Sequence, residues 1–405
     1  MSATTTTAEK PLQGLRVLDI ATFIAAPFCG TTLGEFGAEV IKVEQPEVGD
    51  PLRYWGTATE CGDSLVWLSE ARNKKSITLD LRLEEGKKIF RQLVEKSDVV
   101  LENFRPGTLE KWGLGFESLR EINPGLVMLR ISAYGQTGPY KDRPGYARIA
   151  HAFSGLSFLA REPGGIPVMP GSTSLADYFS GLYGAVGVLL ALRARDKTGV
   201  GQYIDIGLYE SIFRIMDELA PSFGRTGFVR QPMGADTVNI VPHSHYQASD
   251  GRWVAVACSS DRMFERLAAA MEKPELASDP RYRTLIARDQ RREEMNAMVA
   301  AWVGSMPADE VLRRCEAVEM ACGLLYDIQD IFEDPHYRAR ENIKCVHDER
   351  VGDFQAPNVV PRLSETPGSL ERLGPALGAH NAQVYGSLLG MTDADLDALR
   401  SAKVI

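Results

Sequence analysis

Short apolar runs and segments of helical period alternate along the first half of the chain. "LRVLDIA" (residues 15–21) reads as a buried strand, "APFCGTTLGEFGAEV" after it has helical period with Gly37 placed to end the helix, and "VIKVE" (Val40–Glu44) is the next strand. That is a β-α-β unit in about 30 residues, the opening of a Rossmann-type half. "KSITLDL" (Lys75–Leu81), "DVVLENF" (Asp98–Phe104) and "GLVMLRISAYG" (Gly125–Gly135) give three more strands, with a charged amphipathic helix over Glu84–Lys96. Thr173–Arg195 predicts a long helix, and "GQYIDIGLYESI" (Gly201–Ile212) a strand that runs into a helix. Strands alternating with helices at this spacing predict an α/β fold whose parallel sheet is covered on both faces.

The texture changes after that. Residues 224–246 ("GRTGFVRQPMGADTVNIVPHSHY") are rich in Gly and Pro and read as a long connection. "WVAVAC" and amphipathic helices from Arg262 to Cys322 follow, a smaller α+β module. Phe332–Ile343 resumes helix, and "APNVVPRLSETPGSL" is an extended, Pro-punctuated stretch. Residues 1–10 (MSATTTTAEK) read as a flexible polar tail, and no internal repeat is present.

Charge narrows the choice of partners. Forty-five basic and 54 acidic residues give −9, which argues against a nucleic-acid surface or an anionic membrane surface while leaving room for a local basic pocket. The longest apolar run, Phe179–Leu192, is 14 residues interrupted by Ser and Gly, too short to span a bilayer. Cys29, Cys61, Cys258, Cys315, Cys322 and Cys345 have no C-x-x-C spacing, so they read as reduced thiols of a cytoplasmic protein, with Cys29 a small buried filler.

One acid stands apart from this background. In "STSLADYFSGLYGAVG" (Ser172–Gly187) Asp177 is the only charged residue, and no Lys or Arg occurs until Arg193. The simple reading is a capping box, Ser174-x-x-Asp177, in which the carboxylate reaches back to the helix start. The functional reading notes Gly181, Gly184 and Gly187 at helical spacing, which call for a closely packed neighbour, and the preceding loop "PGGIPVMPGS", which can wrap a ligand. A carboxylate in a first helical turn feels the positive end of the dipole, which favours ionisation, and in an apolar pocket it can act as nucleophile or base.

Other chemistries find less support. The turn "ATFIAAPFCG" lacks the glycines of a G-x-G-x-x-G fingerprint, and no phosphate loop of the G-x-x-x-x-G-K-[ST] type occurs. No H-E-x-x-H motif is present. His243 and His245 in "HSHY" would share a face on a strand but read better as a loop pair, and His151 in "IAHAFSG" reads better as a ring bonded to backbone than as a base.

The chain resembles the class III CoA-transferases, the formyl-CoA transferase or CaiB–BaiF family, over about residues 11–405. The resemblance rests on long matches in order: "PLQGLRVLDIATFIAAPFCGTTLGEFGAEVIKVEQPEVGDPLR", "NKKSITLDLR", "ENFRPGTLEKWGLGFESL", "SAYGQTGPYKDRPGY" and "SLADYFSGLYGAVGVLLALRARDKTGVGQYIDIGLYES". It implies a large Rossmann-like CoA-binding domain from residues 11–224 and 332–405, a smaller α+β domain inserted at 225–331, and two subunits interlocked as a homodimer. It implies that Asp177 is the catalytic aspartate. CoA contacts carry over to Phe23, Ile24 and Ala25 of the first loop, to Leu79, Asp80, Leu81 and Arg82, to Asn103, Phe104 and Arg105, to Lys111 as a phosphate partner, and to Gly145, Tyr146, Ala147 and Arg148. Arg82, Arg105 and Lys111 would supply the cations that CoA phosphates need.

Within that family, racemases carry "GHD" where this chain has "GYA" (Gly145-Tyr146-Ala147). Tyrosine, with an ordinary pKa of about 10, is a poor base at neutral pH, so racemisation loses one of its two bases while transfer keeps its nucleophile. Many transferases of the family have Asp at the position of Ala147, and that role is not carried over. The resemblance further implies an acyl-CoA and a small carboxylic acid as partners, with succinyl-CoA and C4–C5 acids such as malate, citramalate or mesaconate nearest in type. Arg53, Arg143, Arg148 and Arg161 are available to grip a second carboxylate. The CoA thioester is substrate, and no tightly bound cofactor or metal is expected. The alternatives are a CoA-dependent racemase or isomerase, and a non-catalytic CoA-binding subunit of a heteromer with a paralogue.

Overall fold

In the computed structural model, which describes residues 9–405, six short strands form one sheet: β1 (Arg16–Asp19), β2 (Glu39–Glu44), β3 (Lys75–Thr78), β4 (Val99–Glu102), β5 (Val127–Ser132) and β6 (Tyr203–Gly207). Residues 1–8 of the expected tail lie outside the described residues. The order is β3-β2-β1-β4-β5-β6, and every pairing is parallel. Side chains of a strand alternate between faces, so neighbouring apolar residues serve two cores. Val17, Val40, Val99 and Val127 face helices α1 (Ala25–Glu35), α3 (Ala147–Phe153), α4 (Leu175–Thr198) and α5 (Leu208–Arg214). Leu18, Ile41, Val100 and Met128 face α2 (Glu84–Glu95), whose Ile89, Phe90, Leu93 and Val94 are buried, and helices Asn381–Leu389 and Asp393–Ser401. This two-sided burial is why these strands read as mainly apolar runs, broken only by buried charges such as Lys42 and Arg130.

The chain moves outward from β1 to β2 and β3, then returns to the other side of β1 as β4. That reversal opens a crevice at the carboxyl ends of the strands, the usual binding place in such sheets. Helices α1 and α4 both lead from this edge back across the sheet, so their N-termini lie at it.

Helix α4 is held close to its neighbours by the glycines read from the sequence. A Cβ on Gly181 would stand 2.6 Å from the Ala25 carbonyl oxygen, one on Gly184 2.7 Å from Leu129, and one on Gly187 3.1 Å from Ile204. At 24 residues α4 is longer than the apolar run suggested, and its length and composition alone would suffice to cross a bilayer. Its packing through Gly181 and Gly184 onto α1 and β5 buries one face, while Leu182, Val186, Leu189 and Leu190 on the other are exposed.

Two compact units divide the chain. One holds the chain up to Ser157, Met169–Thr226 and Arg338–Ile405; the other holds Phe158–Val168 and Gly227–Tyr337. The second unit has an antiparallel sheet of β7 (His243–Gln247), β8 (Trp253–Ala257) and β9 (Cys322–Leu324), backed by amphipathic helices Asp261–Ala270, Arg292–Val303 and Ala308–Ala317.

Several expectations are corrected. The connection expected over 224–246 already contains β7. The helix expected over Phe332–Ile343 is two short ones, Ile328–Glu333 and Pro335–Ala339, separated at Asp334 because the residue before a proline avoids helical geometry. Ile343 instead opens a hairpin, β10 (Ile343–Asp348) with β11 (Gly352–Pro357).

Candidate active site

The first β-α turn sits at the carboxyl edge of β1, and a buried polar network holds its backbone. Asn103 accepts from the Thr22 amide at 2.9 Å and donates to the Thr22 carbonyl at 2.6 Å. Asp50 accepts from the Phe23 and Leu52 amides at 3.0 and 2.9 Å and pairs with Lys42 at 2.9 Å. The Lys42 ammonium also donates to the Ala21 carbonyl. Lys74 pairs with Asp19 at 2.9 Å and donates to the Pro27 carbonyl at 2.6 Å. Phe23 is thereby kept at φ +61°, a left-handed conformation that a bulky residue adopts only when its surroundings impose it. Ile24 precedes α1 without a side-chain cap, so the opening amides of that helix, at Ala25 and Ala26, have no intrahelical acceptor.

Beside this turn lies a cleft of about 220 Å³. Its walls come from the segments that follow four strands: Ile20 and Thr22 after β1, Gln45–Pro51 after β2, Leu79–Arg82 after β3 and Phe104 after β4, closed by Trp112. Phe104 and Trp112 meet edge-on with ring centres 5.5 Å apart. The cleft is smaller than pockets that enclose a drug-sized ligand, roughly 300–1,000 Å³, so it suits one part of a long molecule. Arg82 at its rim forms a bidentate pair with Asp80, at 2.9 and 2.6 Å, yet keeps 57% of its side chain exposed. Arg105 is exposed with no side-chain partner among the described residues. Lys111, likewise exposed and unpaired, lines a separate hollow with Arg130, Gln136 and Lys141. Gly145, Tyr146, Ala147 and Arg148 open α3, and the Tyr146 ring reaches the first turn, 6.4 Å from the Phe23 ring.

Asp177 occupies the first turn of α4, four residues before Gly181, and so on the face turned to α1. The capping box expected there is absent: Ser174 makes no side-chain cap bond, and its carbonyl accepts from the amides of Asp177 and Tyr178 at 3.0 and 3.2 Å. Among the described residues the Asp177 carboxylate has neither a hydrogen-bond partner nor a cation. Burial therefore outweighs the helix dipole and pushes its pKa up to about 7, the reverse of the shift expected from the dipole. The start of α4 is capped from elsewhere. His151 of α3, 1% exposed, accepts from the Ala176 amide through Nε2 at 3.0 Å.

Against this geometry stand the relatives. Residues 12–381 match the sequence profile of CoA-transferase family III. The chain belongs to that family. It is 52% identical over 398 residues to the alpha subunit of a succinyl-CoA–L-malate CoA-transferase of Chloroflexus aurantiacus, covering 98% of this chain and 93% of that one. It is 54% identical over 407 residues to the beta subunit, covering 100% of both, and 44% identical to a succinyl-CoA–D-citramalate CoA-transferase of the same organism, covering 98% of both. Among solved structures, a CaiB/BaiF family protein from Brucella suis superposes with a TM-score of 0.82 at 34% identity, covering 94% of this chain and 100% of that one.

As a family III CoA-transferase, the chain is an enzyme, and several residues weighed from the sequence can be sorted. Arg53 is fully committed inside the protein: it pairs with Glu44 at 2.7 and 2.8 Å and with Asp63 at 2.8 Å, and stacks on Trp67. It is a structural cation rather than a grip for substrate. Arg143 lies over Tyr140, 3.7 Å from the ring centre, and Arg148 is exposed. Arg161, in the second unit, donates to the Gly165 carbonyl at 3.4 Å. Cys29 is fully buried, and burial drives its thiol pKa well up, as befits a filler. His243 and His245 do share a strand, but no group of three metal-ligating side chains occurs among the described residues. Lys42, Asp50 and Lys74, which build the turn, were missed, because nothing in a local pattern marks a lysine as buried.

Proposed function

We propose that this family III CoA-transferase takes CoA from succinyl-CoA and delivers it to a C4–C5 dicarboxylate or hydroxy acid of the malate or citramalate type, through an acyl-enzyme on Asp177. The observation that carries the reading is the Asp177 carboxylate itself: half-buried, without a partner among the described residues, and in the first turn of α4 on the face that packs against α1. The substrates named for the Chloroflexus relatives support the choice of substrates.

The chemistry follows from that carboxylate. One Asp177 oxygen attacks the succinyl carbonyl, the C–S bond breaks, and CoA leaves as thiolate with an aspartyl-succinyl anhydride on the enzyme. The thiolate attacks the aspartyl carbonyl and releases succinate, leaving an aspartyl-CoA thioester. The acceptor carboxylate attacks that thioester and expels the thiolate again. The thiolate then attacks the acceptor carbonyl of the second anhydride, which frees the new acyl-CoA and restores Asp177. Protons balance throughout. A carboxylate stripped of solvation and of ionic partners is a stronger nucleophile than one in water, which is what burial supplies here. Amides at the head of α1 are suited to the developing oxyanion, a contribution of roughly 3–4 kcal/mol per well-placed donor.

In this reading the cleft beside Phe104 holds part of CoA. Its contacts are Phe23–Ala25, Leu79–Arg82, Asn103–Arg105, Lys111, Gly145, Tyr146 and Arg148, with Arg82, Arg105 and Lys111 toward phosphates. The large domain comprises 11–224 and 332–405, with 225–331 inserted. Near-equal identity to the alpha and beta subunits, 52% and 54%, favours one chain filling both places in an interlocked homodimer. Racemisation is disfavoured because Tyr146, 72% exposed, offers no second base. Incubating the purified protein with succinyl-CoA and a panel of acids tests the proposal: malyl-CoA or citramalyl-CoA should form with release of succinate. No new acyl-CoA from any of the C4–C5 acids overturns it.

A further inference from the structure

We infer that His151 is a positioning residue for the reaction: as a neutral imidazole it fixes the Ala176 amide, and so the first turn of α4 from which Asp177 projects. The inference rests on the reading of Asp177 as nucleophile. The first turn of a helix presents amides without intrahelical acceptors, and a side chain normally caps them from the preceding residue. Here Ser174 does not, and His151 reaches across from α3 to take the Ala176 amide at 3.0 Å. On the other side, the Ser211 hydroxyl of α5 donates to the Leu208 carbonyl at 2.9 Å, shares a 2.8 Å contact with Ser180, and lies 3.5 Å from the Ala176 carbonyl. The Ala176 backbone is thus held at its amide by α3 and touched at its carbonyl by α5, and Asp177 is the next residue.

The bond fixes the ring's state. Nε2 accepts, so the single ring proton sits on Nδ1, which is buried and has no partner among the described residues. A proton added at Nε2 would face the Ala176 N–H and end the bond. The charged and titratable groups on the packed elements are Arg148 on α3, Asp177, Tyr178 and Tyr183 on α4 with Arg193, Arg195, Asp196 and Lys197 at its far end, and Tyr209, Glu210 and Arg214 on α5. Glu210 is occupied by the Gly207 amide at 2.7 Å. Burial first, and Arg148 second, keep the imidazole below the usual histidine range and hence neutral at physiological pH.

Positioning makes a specific kinetic claim. Substrate binding should be untouched while the carboxylate loses its aim, and a misplacement on the order of 1 Å can cost about 100-fold in rate. The test compares the full-length His151→Ala, His151→Phe and His151→Gln variants. Gln carries an acceptor oxygen near the place of Nε2 and does not titrate. With succinyl-CoA and malate at pH 7.5, His151→Ala and His151→Phe should lower kcat by about 10–100-fold with KM for succinyl-CoA unchanged within about twofold, and His151→Gln should restore kcat to within about threefold. Equal loss in Phe and Gln variants, or a loss carried by KM alone, overturns the inference. If the Ala and Phe variants do not fold, His151→Gln still decides. It should hold kcat and lose the second protonation that steepens the acid limb of the wild-type profile; an acid limb as steep as wild type overturns it. Asp177→Asn run alongside separates the two levels: full activity there fails the nucleophile reading, whereas its inactivity with a null His151 series fails only this inference.

Discussion

Two carboxylates near the same edge of the sheet are buried in opposite ways. Asp19, at the end of β1, is fully buried and answered by two lysines, Lys74 at 2.9 Å and Lys42 at 3.6 Å. Asp177, at the head of α4, is half-buried and answered by none among the described residues. The first arrangement neutralises charge and spends its hydrogen bonds on holding the first β-α turn. The second leaves a carboxylate whose ionised form is poorly stabilised, and a reaction partner can relieve that. The difference separates a structural acid from a reactive one more sharply than sequence position does, since both lie in short apolar contexts.

The largest effect should come from removing the reactive acid. Asp177→Asn should lower transfer by at least about 1,000-fold, read as acyl-CoA formed per minute, because no other group at the helix start replaces the nucleophile. Stability should move the other way. The folded pKa, about 7, lies above the unfolded carboxyl value of about 4. Burying the charge therefore penalises the fold increasingly as pH rises between these values, and fully above about 7. The Asn variant should accordingly gain more Tm at pH 8 than at pH 5. A Tm lowered at pH 8 would show that Asp177 is a structural acid after all.

Next is the structural pair. Asp19→Asn takes from Lys74 its paired carboxylate and leaves Lys42 paired with Asp50 alone. The expected loss is about 3–5 kcal/mol in urea unfolding, the cost of leaving a buried charge uncompensated. A loss below 1 kcal/mol would remove the contrast on which the comparison stands. The smallest effects belong to the exposed cations. Lys111→Ala and Arg105→Ala should each raise KM for succinyl-CoA by about 3–10-fold, with less effect in high salt and with kcat held. A fall in kcat at unchanged KM would detach them from CoA phosphate.

How far the sequence shows these features depends on where their partners lie. The sheet is legible because its inner strands β1, β2, β4 and β5 are buried on both faces and mainly apolar, while the edge strand β6 (YIDIG) shows plain alternation with Tyr203 and Asp205 exposed. The β10–β11 hairpin is not, because its residues are mostly exposed or half-buried and "IKCVHD" has no apolar period. Helix Asn381–Leu389 is as faint, since only Asn381, Val384 and Tyr385 are buried in it. Asp177 is legible as a lone acid in an apolar segment. Its environment is not: the S-x-x-D spacing suggests a local cap, whereas the bond that caps α4 comes from His151, 25 residues before Ala176. Arg53 misleads for the same reason. Its partners Glu44, Asp63 and the carbonyl of Pro375 are brought together only by the fold.

The central claim is that Asp177 carries the acyl group. Exposing the full-length protein to succinyl-CoA, quenching with hydroxylamine and mapping peptides by mass spectrometry reads this directly. The account predicts a hydroxamate at Asp177 that depends on succinyl-CoA and disappears in Asp177→Asn. Active enzyme with that peptide unmodified, or with the hydroxamate on another carboxylate, would contradict it.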